Sequence, residues 1–274
     1  MKLKAPENLS SKERICFYDC EENKQYYQYG TAGGWKKYAG NPVFGGVYET
    51  CFDVSLLLEH EGSSEQVFKM WFSWRPKRAI GYTESADGIH WKRKERPVME
   101  PGQPWEKQAI MCPHVLFDEE DKYYKMWYAA GCNHEPDAIG YAESEDGIHW
   151  KKEKNNPVLA PDPSYLWEQH KVVAPCVIKD DDWFYMFYVG HLHEERAQVG
   201  LARSRDGKTN WEKHPENPLI CPTEGSWDSV AVYKPFVLKV GKSWMMWYNG
   251  AAYEEPIWVF EQIGLATLDE TTLF

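Results

Sequence analysis

Hydrophobic and polar positions along the chain alternate in short runs bounded by Gly, Pro, Asn and Asp, and these runs recur. Ile80-Gly81-Tyr82-Thr83-Glu84-Ser85-Ala86-Asp87-Gly88-Ile89-His90-Trp91 matches Ile139-Gly140-Tyr141-Ala142-Glu143-Ser144-Glu145-Asp146-Gly147-Ile148-His149-Trp150 nearly residue for residue. A third copy begins Val199-Gly200-Leu201-Ala202-Arg203-Ser204-Arg205-Asp206-Gly207 and reaches Trp211, and a fourth begins Ile263-Gly264-Leu265-Ala266-Thr267. An aromatic run precedes each copy, at 68–72, 123–128, 183–188 and 244–248. Before those lie Asp53-Val54-Ser55, Cys112-Pro113-His114, Ala174-Pro175-Cys176 and Lys234-Pro235-Phe236. After each internal hairpin a last strand runs from Trp towards an Asn-Pro-like stop, as from Trp150 to Pro157.

Period-2 alternation predicts strands, and Asp-Gly supplies the positive-φ hairpin between the third and fourth of each unit. Four short antiparallel strands per repeat of about 60 residues describe one propeller blade, which must stack on its neighbours to bury both faces. The expectation is an all-β, single-domain β-propeller over residues 1–274, with blades near 48–100, 105–161, 167–222 and 227–274. The fourth unit lacks its outer strand, whereas Trp35-Lys36-Lys37-Tyr38-Ala39-Gly40-Asn41-Pro42-Val43 carries that pattern. A strand at about 34–44 is therefore expected to close the ring and cover an open sheet edge. The strand-like runs at 14–19 and 26–31 favour five blades, with four as the alternative.

Composition narrows the chemistry. The net charge of −11 and the absence of a basic stripe disfavour nucleic acid. No apolar run approaches membrane-spanning length and the N-terminus lacks a signal-peptide core, so a cytoplasmic location and no membrane partner are expected. Seven cysteines without CxxC spacing suggest neither a disulfide framework nor zinc, and no metal or cofactor is expected. Oligomeric state is not legible. The 14 Trp and 17 Tyr suit strands, and flat aromatic faces also stack on sugar rings.

The Ser-x-Asp-Gly-x-x-Trp hairpins followed by Asn-Pro-Val resemble those of the five-bladed glycoside hydrolase propellers. That superfamily includes the arabinanase and β-xylosidase, invertase and mannoside phosphorylase families. The resemblance implies that Asp53, on the first innermost strand, serves as general base. It also implies a second Asp where Cys112 stands and a Glu before a Gly-Pro, where this chain has Val173-Ala174-Pro175 and Tyr233-Lys234-Pro235. Cleaving a glycosidic bond ordinarily takes two carboxyl groups, so the partner of Asp53 must come from elsewhere in the chain.

Candidate residues lie at the starts of the innermost strands and in the loops between second and third strands, the usual carriers of function on a rigid scaffold. Glu49, Asp53, His170 and Lys234 are expected to converge on the central channel; a solvated channel of paired charges is the alternative. Catalytic candidates are Asp53, Glu49, Glu135 and Glu195, the last two aligned with Glu255. Substrate-binding candidates are Trp74, Arg75, Arg78, His134, His170, Lys171, His191, His193, Lys234, Glu255 and Trp258. Trp74 and Trp258 stand outside the repeat's own tryptophans and are candidates for sugar stacking. Asp87, Asp146 and Asp206 read as turn formers, and Glu106, Glu168 and Asp228, each after a blade-opening Trp, as structural hydrogen-bonding groups.

The expected function is glycosidase-like cleavage of a short oligosaccharide or sugar conjugate by carboxylate acid/base chemistry, with a small carbohydrate as partner. The alternatives are a non-catalytic carbohydrate-binding propeller and a glycoside phosphorylase.

Overall fold

The computed structural model describes residues 15–20, 23–28, 37–61, 65–132, 135–254, 257–269 and 273–274. Among them the chain is all-β apart from four single-turn helices. A two-stranded hairpin pairs β1 (Ile15–Cys20) with β2 (Asn23–Gln28). The first sheet is β3 (Cys51–Glu61), β4 (Glu65–Trp74) and β5 (Ala79–Ser85). The second is β6 (Ala109–Asp118), β7 (Tyr123–Cys132), β8 (Glu135–Ser144) and β9 (Lys151–Lys152). The third is β10 (Lys171–Asp180), β11 (Trp183–His191), β12 (Ala197–Ser204) and β13 (Glu212–Lys213), and the fourth β14 (Ala231–Val240), β15 (Ser243–Glu254) and β16 (Ile257–Leu268). All pairings within sheets are antiparallel, in sequence order. Four-stranded sheets are present in the second and third units. The outer strand of the first shrinks to a bridge between Ile80 and Met99, and the fourth shows three strands. Residues 37–44 of the expected closing strand carry no strand, and Trp35 lies outside the described residues.

The repeated residues do the same work in each unit. Ser85, Ser144 and Ser204 each accept the hairpin glycine N–H, while Asp87, Asp146 and Asp206 cap the turn from below. Gly147 has φ +75°, which a side chain would strain. Its carbonyl accepts the Trp71 indole N–H from the preceding sheet at 2.8 Å, and Gly207 accepts that of Trp127 in the same way. The hairpins of the second and third sheets thus dock on the tryptophan of the preceding sheet. Gly140 is demanded by a close approach, because a Cβ there would meet Trp105 at 2.5 Å.

The buried acids after the opening tryptophans are structural, as their repetition suggests. Glu106 is fully buried and accepts from Tyr128 Oη at 2.7 Å and Lys152 Nζ at 2.6 Å; Glu168 repeats this with Tyr188 and Lys213. A buried carboxylate is tolerable only when paired and hydrogen-bonded in this way. A second clasp joins successive sheets: Asp118, 3% exposed, pairs with Lys125 of its own sheet and Lys179 of the next, and both ammonium groups lie over the Phe184 ring.

The sheets run first to fourth as neighbours. Ser55 Oγ accepts the Val115 N–H at 2.9 Å, His114 Nε2 lies 2.8 Å from the Val177 carbonyl, and Lys239 reaches Asp180 from the fourth sheet to the third. Innermost strands therefore present one face forward and one back. The back face holds Val115 and Val177, both almost fully buried, yet the equivalent Leu56 of the first sheet is 47% exposed. Val54 and Leu58 beside it are also open. The forward face of the fourth sheet is open too, with Phe236 54% exposed at the position that buried Cys176 takes in the third.

Candidate functional site

Each innermost strand carries a register shift at the same place: Phe52/Ser55, Met111/His114, Val173/Cys176 and Tyr233/Phe236. The bulged residues are Asp53, Cys112, Ala174 and Lys234, all at φ between 51° and 53°. A β-bulge re-aims a side chain out of the ladder. Non-glycine residues in this region are uncommon, and four equivalent ones are an architectural device of the blade. What differs is the group that each blade presents there.

Three of those groups meet. Asp53 Oδ1 is in contact with Lys234 Nζ from the fourth sheet, and its Oδ2 accepts from Cys112 Sγ of the second sheet at 3.1 Å. Ser73, opposite the bulge on β4, donates to Oδ2 at 3.4 Å and accepts the Cys112 N–H at 2.9 Å. Asp53 is thus an acceptor for an ammonium, a thiol and a hydroxyl. Its side chain is 9% exposed, whereas 40% of the Lys234 side chain stays open. Protein nonetheless walls in the lysine, and burial draws its pKa down to about 8. Burial pushes the Cys112 thiol up to about 12.

A second cluster occupies the third blade. Glu194 joins His170 Nε2 at 2.9 Å to Lys171 Nζ at 2.8 Å, and hydrogen bonds from Lys171 first and His170 second hold its carboxyl down at about 2. His191 sits beside them with its Nδ1 shielded from solvent. Burial, then the nearby Lys171, draws its pKa to about 4, so it is neutral at pH 7. His193 and Glu195 are exposed, and the Tyr253 hydroxyl hydrogen-bonds Glu195.

The expected convergence of Glu49, Asp53, His170 and Lys234 is therefore met for Asp53 and Lys234 alone. Glu49 ends a single helical turn and lines a shallow cleft with Trp74, Lys77, Arg93 and Lys94. His170 turns to Glu194 on its own blade. Trp74, expected as a sugar platform, is 6% exposed; its indole donates to the Tyr48 carbonyl at 3.0 Å and its ring packs on Tyr48 and Phe72. Packing at the edge of the first sheet uses the face that stacking would need. Arg75 lies over the Phe52 ring, and Arg78 is exposed, its carbonyl accepting the Ile110 N–H. His134 and Glu255 lie outside the described residues, as do the side chains of Glu135 and Trp258. Glu194 is among the loop residues that no strand requires, whereas Ser73 carries no signal in the sequence; the contrast among the four bulge residues is the available signal for the Asp53 cluster. No group of three or more His, Cys, Asp or Glu among the described residues could hold a metal ion, and no described helix is long and apolar enough to cross a membrane.

The model of the family "Glycosyl hydrolases family 43" matches residues 113–272, more than half of the chain. The chain belongs to this family. It is a divergent member, and the matched segment starts just after Cys112, covering the second to fourth sheets but not Asp53. A Mycobacterium tuberculosis protein, MT1551, is 28% identical over 175 residues, 57% of this chain and 56% of its own length. The 1,2-beta-oligomannan phosphorylase of a Thermoanaerobacter species is 26% identical over 63% of this chain and 53% of its own. The chain thus spans about half the length of the curated relatives it matches. Among solved structures, a thermostable family-43 glycoside hydrolase superposes with a TM-score of 0.57 at 19% identity, over 80% of this chain and 69% of its own. A structure described with the GH130 mannoside phosphorylases, and with hydrolases that target beta-1,2 mannosidic linkages in Candida mannan, reaches 0.63 at 19% identity over 88% and 79%. At such identities the structural likeness speaks for the fold. The family-43 assignment places the chain among propeller glycoside hydrolases.

Proposed function

We propose that this family-43 chain is a glycoside-active enzyme cleaving a short oligosaccharide or sugar conjugate at the channel mouth, with proton transfer organised around Asp53. One observation carries the reading: Asp53 sits on a bulge, fixed by Lys234, Cys112 and Ser73 contributed by three sheets. A carboxylate so held is preorganised, and preorganised charge is what glycosidic cleavage exploits as its oxocarbenium-like transition state forms. Hydrolysis ordinarily uses a second carboxyl group, and Glu195 and Glu135 in the loops are the carboxyl candidates. The absence of a second acid at the other three bulges favours a second reading, phosphorolysis. Orthophosphate brings its own nucleophilic oxygen and needs no base. The likeness to mannoside phosphorylases supports the same branch.

The test is turnover of aryl glycosides and short β-mannosides, xylosides and arabinosides with and without orthophosphate. Release of sugar with phosphate absent supports hydrolysis, and sugar 1-phosphate formation supports phosphorolysis. No turnover under either condition would leave the non-catalytic binding propeller as the better reading.

We also propose that a fifth wedge closes the ring between the fourth and first sheets. Supporting it are the two apolar faces left open there, Val54, Leu56 and Leu58 on one side and Phe236, Leu238 and Val240 on the other. The hairpin of β1 and β2, with the segment 35–43, is the part of the chain whose pattern suits that wedge.

A further inference from the structure

We propose that Lys234 is a catalytic residue, the proton donor to the departing glycosidic oxygen, taking the part of a second carboxylic acid, none of which contacts Asp53 among the described residues. The inference rests on the Asp53-centred reading and deepens it. Departure of an unactivated sugar alcohol needs a proton, and the donor must be reachable from the mouth. Of the contacting pair, Asp53 is 9% exposed and Lys234 40%, so an incoming oxygen meets the ammonium before the carboxylate. Asp53 has no proton to give while it accepts from three donors. The other two donors on the carboxylate are poorer acids at neutral pH: the Ser73 hydroxyl, and the Cys112 thiol, which burial pushes up to about 12. Burial draws the lysine down to about 8, towards the range in which a general acid is effective, while the contacting carboxylate favours its charged form.

The step balances as follows. The C1–O bond breaks with its electron pair passing to the leaving oxygen, which takes a proton from Lys234 Nζ. The oxygen of water or orthophosphate bonds to C1 from the opposite face of the ring. Lys234 is left as a neutral amine beside Asp53. The proton shed by the attacking water, or by the sugar phosphate, returns to it through solvent. Asp53 acts here as a positioning residue that aims the ammonium and favours its recharging.

Lysine and arginine differ in the property at issue, since a guanidinium keeps the charge but does not release a proton. The experiment compares wild type, Lys234→Met and Lys234→Arg on an unactivated disaccharide and on the 2,4-dinitrophenyl glycoside of the same sugar, whose leaving group departs without protonation. Both variants should lose about 10²–10⁴-fold in kcat on the disaccharide. On the dinitrophenyl glycoside the loss should shrink to within about tenfold, as expected where protonation no longer contributes. The fall of kcat as pH rises through about 8 should vanish in both variants. Equal losses on the two substrates, or recovery in Lys234→Arg, would overturn the role of Lys234 while leaving the Asp53 reading in place. A wild-type chain inactive on both, with and without orthophosphate, would remove both.

Discussion

Asp118 of the second sheet and Lys179 of the third form an ion pair at 2.8 Å, with Lys125 closing on the other carboxylate oxygen at 2.6 Å. The contact spans a blade boundary, and its geometry sets an acid limit on stability. Burial opposes ionisation of Asp118, but the two lysines outweigh it and hold the carboxyl at about 2. A carboxyl depressed in the folded state stabilises above its unfolded pKa, near 4, and that contribution fades as pH falls through about 2. Its size is about 2 kcal/mol. Asp118→Asn should therefore lose about this much at pH 7, measured by urea denaturation, and the deficit should shrink between pH 4 and pH 2.

Gly140 gives a test of blade packing. A β-carbon there would lie 2.5 Å from Trp105 and 2.8 Å from Tyr128, both ring atoms in a packed interior. Gly140→Ala should cost about 1–3 kcal/mol through overpacking. The readout is thermal unfolding; an unchanged midpoint would mean that the indole has room to move.

The open apolar faces make a third prediction. If a fifth wedge covers Leu56 and Leu238, then Leu56→Asp and Leu238→Asp each bury a charge and should cost several kcal/mol. If those faces meet water, each change should stay within about 0.5 kcal/mol. Denaturation of the full chain decides between them.

Cysteine reactivity checks the site from another side. Cys112 is half-buried and its thiol is held up at about 12, while Cys132 is exposed. Reactivity follows the thiolate. Brief iodoacetamide treatment at pH 8, read by peptide mass spectrometry, should label Cys132 well ahead of Cys112. Comparable labelling would place Cys112 in a more open setting than the Asp53 cluster allows.

Much of this fold was legible because its devices are local and repeated. Asp87, Asp146 and Asp206 cap their own turns, and Gly81, Gly140 and Gly200 recur where an aromatic ring presses on the strand. The site was legible in part, since the sequence alignment of the four units puts Asp53 and Lys234 at one structural position. Trp74 defeated that reasoning because its burial depends on Tyr48, a residue outside the repeat's pattern. Glu49 did so because the chain turns sharply at φ 57° just before β3, carrying it away from the strand's alternation. Glu194 chose its partners across a hairpin loop whose shape no period specifies.

The central claim is that glycoside cleavage runs through the carboxylate held between three blades. Measured most directly, kcat on a glycoside that the wild-type enzyme turns over should fall by about 10²–10⁴-fold in Asp53→Asn, with folding verified by circular dichroism. Undiminished turnover in a folded Asp53→Asn protein would contradict the claim.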